Sequence, residues 1–312
     1  MNPIEIIRFI SKNRPDHYPM DKIRKELKNM LQPKDNEGYE DENGMQGRWI
    51  NKDGSIFTYK NDKREGQYYI YDRHKQELKE KGTYVNGKKN GPFEIYNENR
   101  LKEKGIYKND HKDGLVDFYL TYRPNEYPFM SATLGEDNIT YNGPFIHYRD
   151  NGSIYMKGTY VNGEKNGPFE IYYDDGKISE KGTFINGERN GPFIDYDKNG
   201  LISLKGTYVD NKINGPFETY YNGEIYQKGT YLDDEKHGTV EIYINNHLHE
   251  KVKYVNGQKN GPFESYKNNG EIYQKGTYLD NKRNGPFETY YNGEIYQKGT
   301  YVDNKEIELK YV

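Results

Sequence analysis

From Gly47 onward, apolar positions come in short alternating runs broken by glycine, asparagine and aspartate. Residues 167–187, "GPFEIYYDDGKISEKGTFING", show the pattern. Phe169 to Tyr173 is aromatic and β-branched, the composition strands favour. Asp174-Asp175-Gly176 is a turn in which glycine can supply φ > 0. Ile178 to Phe184 is the return strand, and Asn186-Gly187 is a two-residue hairpin signal. Each such unit predicts one β-hairpin.

Turn length sets the register. In 214–231 the turn is Asn222-Gly223, so Tyr221 faces Glu224 and Tyr220 faces Ile225. In 167–184 the turn is one residue longer, as in a type I turn with a glycine bulge, so Tyr173 faces Lys177 and Tyr172 faces Ile178. The recurring pairs Tyr172/Ile178, Tyr196/Ile202, Tyr220/Ile225, Tyr266/Ile272 and Tyr290/Ile295 predict a structural face. Period-two alternation continues it through Phe184, Tyr208, Tyr231, Tyr278 and Tyr301. The other side varies from copy to copy: Ile171, Asp195, Thr219, Ser265 and Thr289, then Tyr173, Asp197, Tyr221, Lys267 and Tyr291. The Gly-Pro-Phe phenylalanines stay open between two counts. Counting through Asn162-Gly163 puts Phe169 opposite Met156 on the Tyr–Ile side, and counting within its own hairpin puts it on the other. A bulge at Gly-Pro, where proline donates no ladder bond, would reconcile them.

The unit repeats along most of the chain. Lys-Gly-(Thr/Ile)-(Tyr/Phe) recurs mostly every 23 or 24 residues, and "NGPFETYYNGEIYQKGTY" occurs without mismatch at 214–231 and 284–301. Val252 occupies a missing glycine, and a lengthened unit surrounds residues 123–134. The expected fold is an all-β repeat protein: an elongated, single-layer, twisted antiparallel sheet of about ten hairpins, with strands ~4.8 Å apart. The array is placed at 47–312 and a polar linker at 34–46. Residues 1–33 carry helix-start signals at Asn2-Pro3 and Asp21 and predict a short α-helical N-terminal cap. The alternating stretch 305–312 predicts a last strand protecting the sheet edge.

Composition narrows the function classes. The hydrophobic fraction is only 32%, but 34 tyrosines and the strict period argue against disorder. The absence of cysteine excludes disulfides and thiolate metal sites. No apolar run approaches the ~20 residues that span a bilayer, and no signal-peptide pattern opens the chain, so a cytoplasmic location is expected. Acidic residues outnumber basic ones, 49 to 46, which disfavours nucleic acid as a partner. No polybasic cluster or amphipathic anchor singles out a lipid surface, although membrane lipid remains the lesser alternative. Phosphate-binding and nucleophile motifs are lacking, and Asp174-Asp175 and Asp233-Asp234 fall at turns. His247 and His249 would share a strand face, but no third metal ligand has recognisable spacing. Neither catalytic residues nor a cofactor are expected.

The pattern Tyr160-Val161-Asn162-Gly163, then Gly167-Pro168-Phe169, Tyr172-Tyr173 and Gly176, resembles the MORN repeat in its bacterial variant form. The resemblance covers about 85% of the chain, with six or more good copies. It implies a single-layer hairpin sheet with an aromatic-lined groove that acts as an interaction module. It extends to YwqK-type antitoxins, which implies a bound toxin. The Gly-Pro-Phe spelling and the lengthened unit depart from the family pattern.

These readings converge on a non-enzymatic scaffold that binds a partner protein and neutralises or sterically blocks it. The partner would be a toxin, nuclease or defence enzyme. Tyrosine offers large contact area at low entropic cost, so Tyr173, Tyr221, Tyr226, Tyr273, Tyr291 and Tyr296 are the candidate partner-binding residues. The alternative is a structural organiser at a membrane or in a large assembly.

Overall fold

Hairpin turns and bulges decide how this chain folds, and the turns follow the sequence closely. The computed structural model describes residues 38–121 and 127–312. Two compact units divide the chain, one running through Val116 and the other from Asp117 to Leu120 and on to Val312. In each, the described residues form strands and turns without a helix, and the strands pair antiparallel. The helical cap expected over 1–33 lies outside the described residues.

Among the described residues there are thirty strands, six of them two-residue pieces such as Glu164–Lys165 and Glu188–Arg189. The remaining twenty-four correspond to about twelve hairpins, so ten understated the array. One addition is Tyr39–Asp41 paired with Gly44–Ile50, which begins inside the stretch read as a linker. Another comes from the lengthened unit, where Met130–Leu134 pairs with Tyr141–Tyr148.

The turns have the expected geometry. Asn222 and Gly223 sit at φ 51° and 83°, a type I′ turn whose twist matches the flanking strands. Gly176, at φ 82°, closes the three-residue turn, and Tyr173 N donates to Lys177 O at 2.8 Å. The pairs Tyr172/Ile178, Tyr220/Ile225 and Tyr221/Glu224 form as the turn lengths require.

Two irregularities then set the faces. At Asn166-Gly167 the register slips: Tyr160 pairs with Lys165, but Lys157 pairs with Glu170. Gly167 allows this at φ 93°. Met156 therefore faces Ile171, and Phe169 lies beside Gly158, whose added Cβ would meet Phe169 Cβ at 3.6 Å. A second, one-residue bulge falls between the Ile171/Glu180 and Tyr172/Ile178 pairs and leaves Ser179 unpaired. It places Tyr172 and Ile178 on the face opposite Phe169, Gly182 and Phe184.

This corrects the expected stripe. Phe184, Tyr208, Tyr231, Tyr278 and Tyr301 belong with the phenylalanines, while the Tyr–Ile pairs are half-buried on the reverse. The side read as variable, with Ile171, Asp195, Thr219, Ser265 and Thr289, is the packed one.

On that packed face each phenylalanine ring lies across the glycine opposite it. A Cβ added to Gly182 or Gly206 would meet the Phe169 or Phe193 ring at 2.8 or 2.7 Å. The ring also packs on the next aromatic, as Phe169 on Phe184 at 4.5 Å between centroids. Where Val252 replaces the glycine, Val240 replaces the phenylalanine opposite, and both are fully buried. Ala132 takes the glycine's place beside Phe145 in the lengthened unit. The strand Lys305–Tyr311 pairs with Glu294–Val302 and is exposed along its length.

Candidate functional site

The bulge that separates the faces also positions the exposed tyrosines. Thr219 faces Gln227, Ser265 faces Gln274 and Thr289 faces Gln297, which leaves Tyr226, Tyr273 and Tyr296 as the extra residues. They are 46%, 50% and 51% exposed. Tyr155 fills the same position three units before Tyr226 and went unremarked in the sequence, because the position is defined by a bulge that alternation does not reveal. In other units the bulge holds Lys79, Lys102, Ser179, Ser203 or His249. Tyr221 and Tyr291 sit on the last rung before the turn and are 72% and 65% exposed. Rings of Tyr291 and Tyr296 lie 6.4 Å apart, and Tyr311 meets Tyr296 edge-on at 5.6 Å. Tyr173 differs from the other five: it is half-buried, and its hydroxyl donates to Tyr196 O at 2.6 Å, tying two hairpins together.

The packed face carries a second regular feature, a row of cations between aromatic rings. Four of these cations bond a glutamate nine positions before them: Lys89 to Glu80 at 2.6 Å, Lys112 to Glu103 at 2.6 Å, Arg189 to Glu180 at 2.9 Å and Lys259 to Glu250 at 2.8 Å, whereas Arg64 and Arg283 donate to tyrosine hydroxyls. Lys236 bonds the neutral Gln227 at 2.5 Å instead. The Arg189 guanidinium lies 5.6 Å from the Phe169 ring and 5.5 Å from that of Tyr208, where its charge meets the negative ring faces. Burial and the Lys259 charge push the Lys236 ammonium down, whereas at Lys259 burial is offset by Glu250 together with Tyr278 and Tyr254, and the ammonium is raised. Tyr231, Tyr254, Tyr278, Lys236 and Lys259, with Asp234 and Glu235, line an open groove of about 620 Å³. The nine-residue Glu-to-cation spacing was present in the sequence, and recognising it there required knowing the register slip.

Two half-buried titratable groups on this face lack full compensation. Asp195 stands opposite Glu180, and burial pushes its carboxyl up to about 6 against the pull of Arg189. His147 lies between Met130 and Met156, with Nε2 buried and unpartnered among the described residues. Burial, helped by the Lys165 charge, lowers its imidazole to about 4.

The reverse face is polar. Its central row alternates cross-strand as Lys205, Glu218, Lys228, Glu241, Lys251, Glu264, Lys275, Glu288 and Lys298. Glu241 bridges Lys228 at 3.2 Å and Lys251 at 3.1 Å and accepts from Tyr243 OH at 2.7 Å. That hydroxyl, with the two lysines, holds the Glu241 carboxyl below its ordinary range against burial. Lysines also lie over the tyrosine rings, as Lys205 over Tyr220 at 5.1 Å.

Among the described residues, no cluster of three or more His, Asp or Glu has the arrangement to hold a metal ion. His249 is itself a bulge residue, so alternation does not align it with His247. No described helix is long and apolar enough to cross a membrane. The two faces offer recognition: exposed rings at the turns, a cation–aromatic groove and a charged lattice behind it.

No family model and no curated protein matches the chain. Among solved structures, similarity is found to one titled TcdB2-TccC3-Cdc42, at 12% identity and TM-score 0.18, covering 78% of this chain and 15% of that one. A structure of TcdB2-TccC3 without its hypervariable C-terminal region gives the same figures. A mutant S. aureus TarM in complex with fondaparinux, alpha-GlcNAc-glycerol and UDP matches at 10% identity and TM-score 0.10, over 72% of this chain and 27% of that one. The chain thus spans well under a third of the length of each of these proteins, and scores this low carry no argument about fold or function.

Proposed function

We propose that this chain is a MORN-type, non-enzymatic scaffold that binds a partner protein and blocks it sterically, as an antitoxin, immunity protein or inhibitor does. The observation behind this reading is the exposure of Tyr221, Tyr226, Tyr273, Tyr291 and Tyr296 on a backbone held by ladder bonds and packed rings. Large rigid rings presented from strands and tight turns lose little freedom on binding, and interface hot spots are enriched in tyrosine. The identical segments at 214–231 and 284–301 present the same pair twice, which suits an extended contact.

The test compares the tagged chain with a variant carrying Tyr221→Ala, Tyr226→Ala, Tyr291→Ala and Tyr296→Ala, using capture from native lysate and mass spectrometry. One stoichiometric protein retained by the wild type and lost by the folded variant is the expected result. Equal retention by both would refute the assignment to these tyrosines. Recovery of membrane components alone would refute the protein-partner reading.

A further inference from the structure

The lysine–glutamate row of the reverse face has one break between two lysines. Following the register, Glu170 pairs with Lys181, Lys181 with Ile194, Ile194 with Lys205, and Lys205 with Glu218. Ile194 thus stands where Glu170, Glu218, Glu241, Glu264 and Glu288 stand in the other hairpins. Tyr196 follows it by two residues, as Tyr243 follows Glu241. In the intact rung the Tyr243 hydroxyl and two ammonium groups converge on one carboxylate. At the break the carboxylate is missing and its three partners remain.

Those partners are under-used. Lys205 has no carboxylate within ion-pair distance among the described residues and lies over the Tyr220 ring. Lys181 reaches only Glu170, at 3.3 Å, with both side chains well exposed. Tyr172, Tyr220, Tyr243, Tyr266 and Tyr290 each donate to the glutamate two residues before, whereas Tyr196 has Ile194 there. Ile146 also replaces a glutamate, but its neighbours are Ser131 and Lys157, so only one lysine flanks it.

We propose that the Lys181–Ile194–Lys205 break, with Tyr196, is a docking slot for an acidic side chain of a partner protein, whose carboxylate completes the rung. Charge complementarity selects the occupant. A glutamate laid on the half-buried Ile194 would place its methylenes on an apolar surface and its oxygens between two ammonium groups and a hydroxyl. Glu241 shows that one carboxylate can satisfy all three. The inference rests on the partner-binding reading above and names the chemistry of one contact.

The test titrates N-acetylated tetraglutamate, and separately tetraglutamine, into the full chain at low ionic strength by calorimetry. The chain is expected to bind tetraglutamate and not tetraglutamine. Ile194→Glu, which supplies the missing carboxylate internally and restores the row's own spelling, is expected to weaken binding by about tenfold or more through like-charge repulsion. Ile146→Glu adds the same charge at a slot with one lysine and is expected to bind as wild type. The four-tyrosine variant is also expected to bind tetraglutamate normally, so loss of partner capture by that variant speaks only to the tyrosine reading. Absence of tetraglutamate binding, undiminished binding by Ile194→Glu, or an equal loss in Ile146→Glu would overturn the slot.

Discussion

At the scale of single residues, stability rests on a ring laid over a glycine. Gly206 is fixed by the ring opposite it, since its backbone φ lies in the ordinary region and the Phe193 ring occupies the space of a Cβ. Gly206→Ala should therefore destabilise the fold by about 1–3 kcal/mol through overpacking. The Val240/Val252 rung predicts a remedy. Gly206→Val alone should be severely destabilising, yet adding Phe193→Val should recover part of the loss. A double-mutant cycle by urea denaturation would then give a favourable coupling, and strict additivity would disprove the interlock. Asp195 belongs to the same scale. Its carboxyl is raised by burial to about 6 in the fold, from an ordinary 3.8. The fold therefore favours the protonated form, and stability present below about pH 4 is lost as pH rises through 6. Because the site is partly solvated, the loss is on the order of 1 kcal/mol. Asp195→Thr, the residue of the equivalent positions 219 and 289, should remove it, seen as a smaller fall in midpoint between pH 4 and pH 7. His147 acts in the opposite sense, its contribution being complete above about pH 6.5 and lost as pH falls towards 4.

Among hairpins, turns are interchangeable and each bulge inserts one residue between rungs that are otherwise in register. Replacing Asp174-Asp175-Gly176 by Asn-Gly reproduces the turn of 222–223 and preserves the Tyr172/Ile178 pair. It should change stability by less than about 1 kcal/mol. Deleting Tyr226 removes the extra residue of its bulge. Tyr220/Ile225 and Thr219/Gln227 then become consecutive rungs of a regular ladder, so Gly229 and Tyr231 keep their partners and their face. A cooperative urea transition within about 1 kcal/mol of wild type is expected, and its loss would show that the bulge does more than insert an exposed side chain.

For the chain as a whole, neighbouring hairpins set stability, since each contacts mainly the next. The identical segments at 214–231 and 284–301 start 70 residues apart. Deleting residues 232–301 joins Tyr231 to Val302, a junction matching the native Tyr301-Val302. The shortened chain should keep its strand spectrum by circular dichroism, with a urea m-value reduced in step with the surface removed. A chain that fails to fold would show that distant contacts, absent from the nearest-neighbour picture, hold this unit together.

The amino-acid sequence by itself determined the all-β class, the hairpin unit, the turn types and the pairs nearest each turn. These depend on local chemistry: Asn-Gly at positive φ, glycine at fixed offsets and aromatic strands. It also marked the tyrosines at 221, 226, 273, 291 and 296, which are exposed. Tertiary structure alone decided which face is the core. The slip at Asn166-Gly167 and the bulge at Ser179 are register choices settled by packing Phe169 between Gly158 and Gly182, and alternation carries no signal across them. The cation row, the role of Tyr155 and the break at Ile194 follow from that register, because each joins residues that become neighbours only once the strands are paired.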